Sequence, residues 1–213
     1  MSEPSGTTAR GLARALVLAF AALPLLAAAD RGRAPADDFH SRAGELLVAA
    51  PSMPDPRFKE SVILMVHHGR DGAMGLIVNK TVTVAPLAML LNESGEAKGE
   101  GFQRKVPIHF GGPVEPGKGF VLHGRDFVID GTVVVGKSYA VTSNLEIIEA
   151  MGAGRGPKQA MVAFGYAGWG PGQLEGEIAR GSWHWVPADN ELLFNERDEG
   201  KWKKALGKRG IDL

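Results

Sequence analysis

From residue 44 onward the chain is a series of short apolar runs, most of them bounded by glycine or proline. Runs of this length are typical of buried strands, because helices need longer periodic segments. The sequence Gly69-Arg70-Asp71-Gly72 has the residues that a hairpin turn requires. The pattern predicts strands over residues 44–50, 61–67, 75–79, 106–110, 119–123, 132–135, 159–166, 183–186 and 191–194.

Helical patterns are fewer. The spacing of Ser143 and Glu146 is that of a capping box at the start of one of them. The patterns predict helices over residues 84–92, from the capping box to residue 151, over 171–179 and over 201–206, with a loop over 95–105. Because strands and helices do not alternate regularly, we predict an α+β fold. We expect a single compact domain with a mostly antiparallel or mixed, barrel-like sheet and a few flanking helices.

The first 29 residues differ in composition from the rest. Arg10 and Arg14 precede an apolar run that begins at Ala15 and ends in three alanines before Asp30, which is the layout of a secretory signal. The run is shorter than the roughly 20 residues that span a bilayer. We therefore predict a signal peptide over 1–29, a disordered lead-in over 30–43 and a folded domain over 44–213. The protein would be periplasmic, with no transmembrane anchor after signal removal. The alternatives are a start codon assigned too far upstream and a cytoplasmic protein.

The charge balance argues against nucleic acid as a partner. Basic and acidic residues number 24 each, whereas a domain that holds a phosphate backbone normally carries a basic excess. One basic cluster, over 201–209, is interleaved with Trp202 and Leu206, and we predict it to be the solvated face of the last helix. The lack of cysteine excludes disulfides, thiol nucleophiles and Cys-ligated metal sites. We expect no cofactor and no metal.

Two glycine-rich segments are the candidate binding elements. Gly111 and Gly112, followed by Pro113, permit either a tight turn or a row of outward N–H groups that holds an anion. The second segment, 165–175, carries a strand through four glycines into a helix start, where free N–H donors attract an anion. Trp169 within it suits either ligand stacking or packing at the edge of the core. Neither segment is a dinucleotide-binding or P-loop motif.

The histidines offer little sign of catalysis. His67 and His68 are adjacent in a predicted strand and point to opposite faces, so they are poor joint metal ligands. For His109 and His123, each at the end of a predicted strand, we expect structural or surface roles. The sequence contains no G-x-S-x-G elbow and no S-x-x-K pair.

Together these segments resemble the AlgH/YqgE family of bacterial proteins over residues 44–213. The chain departs from the family pattern at Thr81, where proline is common, at His184, and in the length that precedes the first strand. The resemblance implies a compact α+β fold and a loosely assigned regulatory role, with no agreed reaction, ligand or cofactor. The segments that carry it, in family order, are 44–51 with Met53, Asp55, Pro56 and Phe58; 72–76 with 78–80; 111–114; 119–123; 165–169 with 172–175; Trp183; 193–194; Trp202; and 210–212.

We expect a non-enzymatic protein that binds a small anionic ligand or a protein partner in a cleft where the two glycine-rich segments meet. One alternative is a hydrolase or transferase with His67 or His123 as base and Glu175 as its partner. The other alternative is a transcriptional regulator. The expected binding residues are Asn79, Gly111, Gly112, Pro113, His123, Gly168, Trp169, Gln173 and Glu175.

Overall fold

Ten strands organise the residues that the computed structural model describes, which are 39–91 and 99–209. They are β1 (Leu46–Ala49), β2 (Val62–Gly69), β3 (Gly72–Ile77), β4 (Thr81–Pro86), β5 (Lys105–Phe110), β6 (Val114–Gly124), β7 (Val133–Val135), β8 (Tyr139–Thr142), β9 (Ala160–Trp169) and β10 (Trp183–Val186). The prediction of a signal peptide over 1–29 and most of the predicted lead-in lie outside the described residues, as does part of the predicted 95–105 loop. These stay predictions.

The strands form one curled sheet in the order β10-β1-β2-β3-β9-β6-β8-β7. All neighbours along this path are antiparallel. β5 joins β9 in parallel and carries β4 as a two-stranded ribbon. With α1 (Glu146–Gly152), α2 (Gln173–Ala179) and α3 (Asp198–Gly207) packed around the sheet, the predicted α+β fold is confirmed. No helix among the described residues is long and apolar enough to cross a membrane.

Strands β1 and β2 are buried on both faces, as their continuous apolar runs predict. Leu46 and Val48 of β1 face a cluster that also contains Ala205 of α3. Leu47 and Ala49 face the opposite cluster, together with Leu174 of α2. The period-2 alternation of strand side chains thus divides the core between α3 and α2.

Three predicted elements are wrong in kind or position. The helix predicted over 84–92 does not form over its described residues, 84–91, because β4 runs to Pro86 and is followed by a 3-10 turn, Leu87–Leu90. The β-branched residues of β4 favour extended backbone. The predicted strand at 191–194 is a π-helical turn, Glu191–Asn195. The capping box does not form, since α1 begins at Glu146 and the Glu146 N–H donates to Asn144 Oδ1 at 3.0 Å.

Lys201 is buried, with 1% of its surface exposed, which corrects its predicted place on a solvated helix face. Its Nζ donates to the carbonyl oxygens of Val78 and Leu193, at 2.8 Å each. Burial lowers the pKa of this ammonium to about 8, against the opposing charges of Asp198 and Glu196. The side chain therefore ties α3 to the residue that follows β3 and to the π-helical turn.

Candidate functional site

A cleft of about 390 Å³ opens between segment 53–58, the end of β9 and α2, and we call it the aromatic cleft. Four of the nine predicted binding residues line it, namely Pro113, Gly168, Trp169 and Gln173. Its remaining lining residues are Met53, Pro54, Asp55, Arg57, Phe58, Val114, Glu177, Arg180, Ser182 and Trp183. The two glycine-rich segments therefore do contribute to one cleft.

Three aromatic rings form the wall of the aromatic cleft. Phe58 stacks on Trp169 with ring centroids 6.4 Å apart, and it meets Trp183 edge-on at 5.7 Å. The two indoles are themselves edge to face, with centroids 5.9 Å apart. Trp169 and Trp183 are 7% and 2% exposed, so most of each ring also belongs to the core. Their packing provides a rigid apolar surface at the cleft.

Glu177 holds the two indoles in place. Trp169 Nε1 and Trp183 Nε1 both donate to Glu177 Oε2, at 3.0 and 2.8 Å. Gln173 Nε2 donates to Oε1 at 3.0 Å, and Gln173 Oε1 accepts from the Gly170 N–H at 3.1 Å. Hydrogen bonds to a charged acceptor are stronger than neutral ones. This network links β9, α2 and β10 at the cleft.

We expect Glu177→Ala to cost about 1–3 kcal/mol of unfolding free energy, because it leaves both indole N–H groups and the Gln173 amide without their acceptor. Glu149→Ala, at an exposed position of α1, is the matched control and should change stability by less than about 0.5 kcal/mol. Urea unfolding of both variants checks this. Equal effects would show that the Glu177 network contributes nothing to the fold.

One cation of the aromatic cleft has no ion-pair partner among the described residues, although the lining carries two acidic and two basic side chains. Arg57 Nε and Nη2 donate to the two carboxylate oxygens of Asp55, and this hydrogen bonding holds the pKa of Asp55 below its ordinary value. Glu177 accepts hydrogen bonds from three neutral donors and keeps its negative charge, but it forms no ion pair with Arg180. Arg180 is exposed and makes no ion pair within the described residues. An apolar wall thus stands beside an unpaired guanidinium.

The paired glycines serve packing within the chain. The Gly111 N–H donates to Phe164 O at 2.7 Å and Gly111 O accepts from Ile77 N, so the expected outward donor is absent there. A Cβ on Gly111 would lie 2.2 Å from Gly165 O, and one on Gly112 would lie 2.1 Å from the Tyr166 carbonyl carbon. The end of β5 therefore lies against β9 backbone to backbone, which only glycine allows.

Five predicted binding residues do not line the aromatic cleft, namely Gly111, Gly112, Asn79, His123 and Glu175. Asn79 is buried, where its Oδ1 accepts from Val62 N and its Nδ2 donates to Glu60 O, at 2.8 Å each. His123 is fully buried with Nδ1 against Gly124 O, and burial lowers its pKa. Glu175 Oε1 pairs with His68 Nε2 at 3.2 Å.

The catalytic pairs of the enzyme alternative do not form among the described residues. His67 Nε2 lies 3.0 Å from Asp71 Oδ1, at an exposed hairpin. Neither His67 nor His123 makes a hydrogen bond with Glu175, whose histidine partner is His68. General acid–base catalysis needs its two groups within hydrogen-bond reach or one water apart. The geometry therefore gives this alternative no support.

Residues 46–213 match the model of a family described as AlgH-like. A UPF0301 protein from Methylococcus capsulatus is 46% identical over 171 residues, which is 80% of this chain and 93% of that protein. The solution structure of the AlgH protein from Pseudomonas aeruginosa is similar with a TM-score of 0.68 and 34% identity, and the match covers 80% of this chain and 89% of that one. A crystal structure of a Corynebacterium diphtheriae protein shares the fold at 22% identity and a TM-score of 0.62, over 79% of this chain and 87% of that one.

Proposed function

The chain belongs to the AlgH-like family, and on that premise we propose that it is a non-enzymatic binding protein whose ligand site is the aromatic cleft. The observation that carries the proposal is the placement of Arg180, without an ion-pair partner among the described residues, beside the wall of Phe58, Trp169 and Trp183. The volume of about 390 Å³ falls within the range of small-molecule sites, roughly 300–1,000 Å³.

The chemistry of the aromatic cleft favours a small monoanion with a flat apolar body. Phe58 is the half-buried ring of the wall, so it, with the small exposed edges of the two indoles, is the apolar surface that a flat group would cover. The Arg180 guanidinium offers several N–H donors to a carboxylate or phosphate oxygen. The Asp55–Arg57 pair is already neutral, so it adds no second unit of charge. The four charged residues of the lining, Asp55, Arg57, Glu177 and Arg180, sum to zero, so an anion would be held by the donors of Arg180 and not by a net positive charge.

Exposed backbone at Gly168 supports the same reading. Gly168 is exposed. A side chain at this position would begin 3.3 Å from the Tyr166 ring and 3.8 Å from Val114 Cγ2, and it would occupy space in the cleft. Because Gly168 has no side chain, the space between Val114 and Trp169 stays part of the cleft. A flat ligand could thereby approach the β9 main chain closely.

Phenylacetate is a suitable probe, with 2-phenylethanol as the uncharged control of the same shape. We expect phenylacetate to bind more tightly than the alcohol. Arg180→Gln should weaken phenylacetate binding about tenfold, because it removes a charge-assisted contact worth about 1.4 kcal/mol. Arg155→Gln, also exposed, is the matched control and should leave binding unchanged.

Isothermal titration of the three proteins with both compounds measures these differences. Equal affinity for the acid and the alcohol, or the same loss in both arginine variants, would contradict the proposal. Far-UV circular dichroism of each variant confirms that the fold is retained, so that a loss of binding is attributable to the site.

A further inference from the structure

A second cavity, of about 490 Å³, lies between the β4–β5 ribbon, β9 and the start of α3. It shares no lining residue with the aromatic cleft. Part of its wall is apolar and is formed by Val106, Met151, Met161 and Phe194. The polar part includes His109 and Asp198, which belong to elements far apart in sequence.

The hydrogen bond at Nδ1 assigns the tautomer of His109. Nδ1 lies 3.1 Å from Val162 O, which can only accept, so Nδ1 carries the hydrogen. Burial lowers the pKa of His109, and this favours the neutral imidazole, in which Nε2 is an acceptor. The side chain of His109 is 5% exposed, and its Nε2 makes no hydrogen bond within the part of the chain that the structure describes.

Asp198 faces this nitrogen with a second acceptor. Its Oδ2 accepts from the Thr81 N–H at 2.7 Å, and its Oδ1 lies 3.8 Å from His109 Nε2. That separation is too long for a hydrogen bond. Two acceptors therefore converge at the cavity with no donor of the described chain between them. His109 Nε2 is not sealed off, since the fully buried side-chain nitrogen without a hydrogen-bond partner among the described residues is His123 Nε2, and so His109 Nε2 is accessible to a donor that enters the cavity.

The nearby lysine does not supply the missing donor. Lys201 Nζ donates hydrogen bonds to Val78 O and Leu193 O. Among the described residues it forms no salt bridge with the Asp198 carboxylate. Glu196 is engaged by Lys204. The charges lining the cavity are three carboxylates, at residues 196, 198 and 199, against Arg197 and Lys201. Because Lys204 pairs with Glu196 from outside the lining, the remaining lining charges sum to zero.

We propose that this cavity binds the amino group of a small apolar amine, held between His109 Nε2 and Asp198 Oδ1. A nitrogen about 2.9 Å from each acceptor would subtend an angle of about 80°, which two N–H bonds of one ammonium group span with modest bending. The apolar part of the amine would contact Met151, Met161 and Phe194.

This site is independent of the proposed function, because it takes a ligand of the opposite charge at a separate place. Phenethylammonium chloride is the probe, and 2-phenylethanol is again the uncharged control. We expect the ammonium compound to change the side-chain ¹⁵N chemical shift of His109 Nε2, whereas the alcohol leaves it unchanged. A pH-matched titration prevents the change from being confused with protonation of the ring.

Asp198→Asn should weaken phenethylammonium binding about tenfold, because it removes the charge while its amide oxygen can still accept from Thr81 N. Glu146→Gln, which removes a first-turn carboxylate from α1, is the matched control and should bind as the natural protein does. His109→Gln provides a second test should Asp198→Asn fail to fold. Two outcomes would overturn the proposal: an unchanged His109 signal with the amine, meaning that the cavity holds water only, or binding that neither cavity variant weakens.

Discussion

Gly112→Ala is expected to destabilise the protein by roughly 3 kcal/mol or more. The added Cβ would lie 2.1 Å from the Tyr166 carbonyl carbon and 2.3 Å from the Ala167 nitrogen, both of which are main-chain atoms of β9. Backbone cannot rotate away as a flexible side chain does, so β5 and β9 would have to separate. Because β9 also pairs with β3 and β6, that separation would disturb the centre of the sheet.

Urea unfolding of Gly112→Ala and Gly117→Ala measures this directly. Gly117 lies on β6 and needs no positive φ, and a Cβ added there would have no neighbouring atom within 4 Å. Its alanine variant should therefore stay within about 0.5 kcal/mol of the natural protein. A Gly112→Ala variant of ordinary stability would show that the close approach of the two backbones is not required.

The second large effect is a pH dependence centred on Lys201. Burial lowers the pKa of Lys201 to about 8 in the folded protein, from 10.5 in the unfolded chain. Between these values the unfolded chain binds more protons at this position than the folded protein does. The unfolding free energy therefore rises with pH across this window, by about 3 kcal/mol in total. Below pH 8 the charge stays buried and this contribution is absent.

Lys201→Met isolates this contribution. We expect the natural protein to gain stability relative to Lys201→Met as pH rises from 8 to 10, measured by urea unfolding at each pH. Burial raises the pKa of Tyr139 to about 12, but Tyr139 is present in both proteins, so its titration cancels in the difference. Lys203→Met, at an exposed position of the same helix, should show no such trend. A flat difference for Lys201→Met would mean that the amine remains hydrated.

Local sequence patterns predicted most strands, but they did not predict the contacts between segments that are distant in the chain. The strand over 61–67 is evident because its apolar run is continuous and bounded by turn residues. β8 (Tyr139–Thr142) was missed, because no glycine or proline separates it from the capping-box pattern that begins at Ser143. The helix predicted over 84–92 failed because helix-favouring Leu and Met follow a β-branched strand that ends at Pro86.

Only part of the aromatic cleft was predicted, because its other residues come together through contacts between distant segments. Glycines around Trp169 identified one wall, but Phe58 and Trp183 meet that residue only through the tertiary fold. The burial of Lys201 had no local signal, because lysine is almost never fully buried and most residues of the surrounding segment, 196–204, are charged. The glycine at position 111 indicated that another group approaches the main chain there, but the sequence did not show that this group is the backbone of β9.

The most direct test of the aromatic cleft is a ¹H–¹⁵N correlation spectrum recorded during titration with phenylacetate. The chain has four tryptophans, and each contributes one indole Nε1–H signal. The account predicts saturable shifts for Trp169 and Trp183, which line the cleft, while Trp185 and Trp202, which do not, stay in place. Four unmoved indole signals at saturating phenylacetate, or shifts confined to Trp185 and Trp202, would contradict it.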